Sequence, residues 1–208
     1  MATLNKSLRN QLEKVVAQAR TVAVAGAERT LNDELAVGAG RPWHGMSVDH
    51  AKLRNDLRAH GRQLGDRREP RSGEQETRRL VQACAYEHWN RMLFARFLAE
   101  NNLLLDPEHG LSLTMDDVQE LAREQGREWM ELASELAQRM LLSVFDPRDP
   151  VLGVTLPPET RLQLNQKLAS LPSEVFLADD SLGWVYQFWQ KDEKEKVNRS
   201  EVKSPLPS

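Results

Sequence analysis

ETRRLVQACAYEHWNRMLFARFLAENNLLLD, Glu76 to Asp106, is the stretch that decides the fold of this chain. It holds neither Pro nor Gly over a length sufficient for about seven helical turns. Tyr86, Trp89, Leu93 and Phe97 form one apolar face, and Ala83, Cys84, Phe94 and Leu98 widen it. A helix that is apolar on most of its surface has to be enclosed by others. The pattern predicts a buried central helix over about residues 76–102, ended by Asn101 and Asn102. Glu87, His88, Asn90, Arg91 and Arg96 lie along it and need partners if buried. Glu87 and Arg91 stand four residues apart, a spacing that suits an ion pair along the helix surface.

Upstream, Leu4 to about Leu35 repeats apolar residues at helical spacing, with Gly26 as a place to bend or split the helix. The stretch AVGAGRPWHG, residues 36–45, reads as a loop. Ser47 then caps a second helix, Val48 to Leu64, whose apolar side carries Leu53, Leu57 and Leu64. Arg54, Arg58 and Arg62 step along what reads as its outer side, and GDRREPRSG, residues 65–73, is a polar loop.

Downstream, Thr114 caps a short helix from Met115 to Arg123, and Asp116 and Asp117 sit in its first turn, where the helix dipole favours them. An amphipathic helix follows from Glu128 to Phe145. Val151 to Leu156 suits a short extended piece, and Pro157-Pro158 open a helix that Pro172 closes. The last ordered stretch is Phe176 to about Val197, with Asp179, Asp180 or Ser181 as the cap. Strand signal is nearly absent. The class is therefore all-α, an irregular multi-helix bundle around the central helix, with a disordered tail over 198–208. Two units are expected: an N-terminal helical hairpin with its basic loop, 1–75, and a helical core, 76–197.

Composition narrows the function classes. No apolar run approaches the roughly 20 residues of a membrane span, and no secretory signal opens the chain, so it reads as cytoplasmic. The single Cys84 makes an internal disulfide or a cysteine-based zinc site impossible and suits a small buried hydrophobe. The five His are scattered, with no HxxxH or HExxH pair to start a metal site. VAVAGAE and VGAG contain glycine but lack the preceding strand that a nucleotide or S-adenosylmethionine loop requires. No nucleophile–base pair stands out, and acidic pairs such as Asp179-Asp180 are simplest as helix starts. No catalytic, cofactor-binding or metal residue is therefore assigned.

Charge is uneven. Residues 52–79 carry nine Lys/Arg against five Asp/Glu, whereas residues 80–208 carry thirteen against twenty-one. A local basic stretch of this kind can follow a phosphate backbone without reading sequence. Arg54, Arg58, Arg62, Arg67 and Arg68 are its candidate contacts, set against a plain solvated face interleaved with Asp56, Asp66 and Glu69.

Two segments carry a family resemblance: AYEHWNRMLFARFLAENN, Ala85 to Asn102, and DDSLGWVYQFWQ, Asp179 to Gln190, with the Pro-broken helices between them. Together they resemble the N-terminal helical region of large bacterial adenine-specific DNA methyltransferases of restriction–modification and phage-exclusion systems, including PglX of BREX. The resemblance runs from about residue 1 to Lys203. It implies an accessory helical domain that braces a methyltransferase catalytic domain or chain and touches double-stranded DNA. S-adenosylmethionine is the cofactor of the full-length family. The glycine-rich cofactor loop and the Asn-Pro-Pro-Tyr/Phe tetrapeptide that holds a flipped adenine are absent from these residues, so none of that chemistry is expected of the chain alone. A gene cut short before the catalytic region, or a split system with a separate catalytic subunit, would both leave such a chain. The rival expectation is a protein–protein interaction module with no direct DNA role. Its anchor would be the aromatic helix face of Trp184, Tyr186 and Trp189.

Overall fold

α3 (Arg78–Glu100) is the axis of the computed structural model, and most other helices lie against it. The structure describes residues 3–201, and the side chains of residues 3–191. Among the described residues the chain is mainly helical, with eight α-helices and one hairpin of two-residue strands. Trp89, Leu80, Cys84, Ala85 and Leu93 of α3 are fully or almost fully buried, as its all-round apolar pattern requires. Its C-terminus closes as the Asn101-Asn102 pair suggests. Asn102 takes a left-handed φ of 55°, Leu103 N–H donates to the Leu98 carbonyl at 2.7 Å, and Asn102 N–H donates to that of Ala99 at 3.1 Å. This doubled bond satisfies carbonyls that the helix end would otherwise orphan.

α1 (Lys6–Arg29) starts at Asn5, whose side chain accepts from Leu8 N–H at 3.0 Å, and continues into a π turn over Thr30–Glu34. Gly26 does not break it. A Cβ there would fall 2.5 Å from Thr160 Cγ2, so the missing side chain lets α6 (Pro158–Ala169) approach closely. α2 (Val48–Gln63) is capped by Ser47 as expected, with His50 N–H donating at 3.2 Å. α4 (Met115–Glu124) opens on a capping box between Thr114 and Asp117. α5 (Trp129–Met140) ends before the expected Phe145, and residues 150–153 form a 3₁₀ turn rather than an extended piece. The short α7 (Glu174–Leu177) leads into α8 (Ser181–Glu201). The backbone of α8 passes the expected limit at Val197, and the remainder of the expected disordered tail, 202–208, lies outside the described residues.

Two apolar clusters fill the interior. The larger joins α1, α2, α3, α6 and α8 with the 3₁₀ turn, and the smaller lies among the end of α3, the hairpin, α4 and α5. The division at residue 75 has no counterpart in this packing. α1 packs on α3, α6 and α8, while α2 packs on α3 and the 3₁₀ turn, so α1 and α2 do not form a separate hairpin. Each packs its apolar stripe against elements from beyond position 76.

Candidate functional site

The basic stretch 52–79 divides into two sets of arginines. Arg54, Leu57, Arg58 and Gly61 share one helical stripe of α2, and it is the buried one. Arg54 and Arg58 are 5% and 6% exposed, which corrects the expectation that they face solvent and could reach DNA. Their guanidiniums are spent on loop carbonyls. Arg54 Nε donates to Ala36 O at 2.9 Å and Nη2 to Ala39 O at 2.5 Å. Arg58 Nη1 donates to Val37 O at 2.5 Å and Ala39 O at 2.6 Å, and Nη2 to Gly73 O at 2.5 Å. Burial lowers the pKa of both, and for Arg58 the neighbouring Arg54, Arg68 and Arg62 lower it further.

These five bonds draw together the loop after α1 and the loop before α3. Ala36 holds a left-handed φ of 50°, uncommon for a residue with a side chain, and the Arg54 contact to its carbonyl fixes it. Gly40 is needed because a Cβ there would lie 2.1 Å from Ser72 O. Gln75 completes the clamp, donating to Arg58 O at 3.0 Å and accepting from Arg62 Nη1 at 3.1 Å. Asp66 then caps α3 from a distance in sequence, accepting from Arg79 N–H at 2.9 Å and Leu80 N–H at 3.0 Å.

Arg62, Arg67 and Arg68 are exposed, as are Arg71, Arg78 and Arg79 beside them. Arg67, Arg78 and Arg79 line one shallow cleft with Glu28 and Glu76. Arg67 and Arg68 line another with Glu69, Glu74 and Glu76. The exposed edge is thus cationic but interleaved with carboxylates.

The aromatic face of α8 is largely committed inside the molecule. Trp189 is 3% exposed, packs edge-on against Tyr86 of α3 at 5.6 Å, and its carbonyl accepts from Arg20 Nη1 at 2.9 Å. This corrects its assignment to an interface. Trp184 is half-buried: its indole donates to Asp180 Oδ2 at 2.8 Å, its ring stacks on Phe188, and Arg9 lies over it. Asp180 also accepts from Leu4 N–H at 2.9 Å, which ties the chain's start to the head of α8. Tyr186 alone of the three is open to solvent, at 54%.

A third place was not singled out from sequence. A cavity of about 300 Å³ lies between α3, α5, the 3₁₀ turn and α6. Its polar wall holds Arg91, Arg127, Glu131, Ser134, Glu135 and Arg161, and Met92, Met130, Leu156 and Leu164 are apolar parts of its lining. Glu131 pairs with Arg161, and Glu135 pairs with Arg127 at 2.8 Å. Arg91 does not pair with Glu87. Its Nη1 donates to Gln138 Oε1 at 3.0 Å and its Nη2 to His88 Nδ1 at 3.5 Å. His88 in turn donates from Nε2 to Val151 O at 3.2 Å. Burial and the nearby Arg91 charge push the His88 pKa down to about 4, so at neutral pH the imidazole brings no charge to the cavity. Cys84, also on α3, has its thiol pushed up to about 12, chiefly by burial, which suits a packing role.

No family model, curated protein or solved structure matches the chain. No helix among the described residues is long and apolar enough to cross a membrane.

The need of Arg91 for a partner was legible from its place in an apolar helix. The partners themselves were not, because Gln138, 47 residues away, and much of the cavity wall come from α5 and α6.

Proposed function

We propose that this chain is a helical accessory domain that works with a cytoplasmic adenine-specific DNA methyltransferase of the restriction–modification or phage-defence kind, and that it performs no methyl transfer alone. The supporting observation is an aromatic contact between the two motif-bearing helices. Tyr86 of the AYEHWNR segment meets both Trp189 and Tyr186 of the LGWVYQFW segment, with ring centroids 5.6 and 6.4 Å apart. Residues distant in sequence thus form one unit, as expected if the pair recurs together for a structural reason. Within the same motifs, Arg96 donates to the Leu168 and Leu171 carbonyls and pairs with Glu100, and Asn101 Nδ2 donates to the Phe97 and Phe176 carbonyls. The motif residues thus tie α3 to the segments around α6 and α7, which supports a bracing role.

DNA contact in this reading belongs to the exposed Arg62, Arg67 and Arg68, with Arg58 holding, through Gly73, the loop that carries Arg67 and Arg68. A phosphate backbone needs accessible cations, and of the five candidates only these three offer them. The experiment is methyl transfer from labelled S-adenosylmethionine to duplex DNA by the isolated chain. Incorporation is expected to stay at background. Turnover above it would remove the claim that the chain needs a catalytic partner.

Tyr186 favours a second reading, an interaction module or a split-system subunit with no direct DNA role. It is an exposed aromatic residue on the face that α8 shares with buried Trp189, and such residues anchor partner contacts.

A further inference from the structure

The cavity between α3, α5 and α6 poses a question that the brace role leaves open. Buried polar groups in folded proteins nearly always find partners, and exceptions require an explanation. Among the described residues, five buried side-chain polar atoms have no partner, and three of them belong to residues lining this one cavity: Arg91 Nε, Ser134 Oγ and Arg161 Nε. Ser134 is itself only 6% exposed.

Charge gives the sign of what is missing. The two carboxylates of the wall, Glu131 and Glu135, are already engaged by Arg161 and Arg127. Arg139 also holds Glu135, at 3.0 Å. Arg91 hydrogen-bonds only to neutral groups, Gln138 and His88, and Glu87, whose charge reaches it, makes no ion pair with it. A guanidinium taken out of water with no carboxylate in contact is costly, and a bound anion lowers that cost. Arg91 Nε and Ser134 Oγ, both without partners and both of residues in this one lining, suit an oxyanion, which guanidinium donors can grip in a planar fork. The methionine and leucine side chains of the lining would leave a bare inorganic ion half unsolvated but suit a hydrocarbon body. At about 300 Å³ the space is at the small end of ligand sites.

We propose that this cavity binds a small organic carboxylate, its oxyanion held by Arg91 and Ser134 and its apolar body lying against Met92, Met130 and Leu164. Occupancy would join α3 to α5 and α6 through a ligand, so the site is a place where a metabolite could stiffen the bundle.

The test titrates the full chain with benzoate, with benzyl alcohol as the uncharged counterpart and inorganic phosphate as the bare oxyanion, at constant ionic strength. Heteronuclear NMR shifts and the melting temperature are read together. Benzoate is expected to saturate, to shift α3, α5 and α6 resonances and to raise Tm, while the other two do not. Arg91→Met is expected to weaken benzoate about tenfold or more, the loss of a charge-assisted hydrogen bond, and Ser134→Ala about three- to tenfold. Ser134→Ala removes an unpartnered hydroxyl, so it keeps the fold if Arg91→Met does not. The proposal is overturned if benzoate gives no saturable shift, if benzyl alcohol or phosphate does as well, or if Ser134→Ala leaves the benzoate affinity unchanged.

Discussion

Arg58→Ala is expected to lower the unfolding free energy by about 3–5 kcal/mol, measured by urea denaturation. The side chain makes three donations of 2.5 to 2.6 Å to carbonyls of two separate loops. Bonds from a charged donor contribute about 1.5–3 kcal/mol each, and they do not add fully because the loop relaxes. Their removal leaves Val37 and Gly73, both buried, with carbonyls to resolvate or orphan. Arg58→Lys recovers little, since one ammonium cannot span carbonyls on both loops. Arg67→Ala, on the exposed edge of the same basic stretch, should stay within about 0.5 kcal/mol of wild type. Against a typical total of about 5–15 kcal/mol, the Arg58 loss would be a large share. Equal, small effects at Arg58 and Arg67 would show that the loop clamp is not structural.

Trp89→Ala should cost about 3–5 kcal/mol, and Trp89→Phe much less, below about 1.5 kcal/mol. Trp89 has no exposed surface and is among the largest side chains of the core, so truncation to Ala leaves a cavity next to the α3 axis. Its indole N–H is buried without a partner. Phenylalanine keeps most of the ring and deletes that donor, whose desolvation costs about 1–3 kcal/mol. The two terms oppose each other, so the Phe variant falls well below what lost volume alone would give. A Phe variant as unstable as the Ala variant would mean that the N–H is bonded after all.

These two residues also mark where sequence was informative and where it was not. Trp89 sits in a helix with no breaker and apolar residues all around, so its burial followed from periodicity alone. The caps at Ser47, Thr114 and Asn101-Asn102 were legible for the same kind of reason: each is a local chemical event within a few residues. Arg58 was misread because hydropathy assigns any arginine to the outside. The stripe Arg54, Leu57, Arg58, Gly61 has the 3–4 spacing of a core face, but two of its members are charged. What turns them inward is a set of carbonyls presented by two loops, and no periodicity encodes a loop's carbonyl directions. Trp189 was misread for a related reason. Its aromatic face looked unpartnered until Tyr86 and Arg20, more than 100 residues earlier, came to lie against it. The cavity at Arg91 needed four segments to meet, and only the need of the helix's polar residues for partners was visible beforehand, with Glu87 as the expected partner of Arg91.

Salt dependence of duplex DNA binding tests most directly whether the basic stretch serves DNA through its exposed arginines. Wild type, Arg54→Met and the triple variant Arg62→Ala, Arg67→Ala, Arg68→Ala are titrated with one duplex at two or more salt concentrations. Each phosphate contact contributes about 0.9 to the slope of log affinity against log salt, so the triple variant should lose about 2 to 3 units of slope, while Arg54→Met, if folded, should keep the wild-type slope. Absence of salt-dependent binding by the wild type, or an unchanged slope in the triple variant, would contradict it.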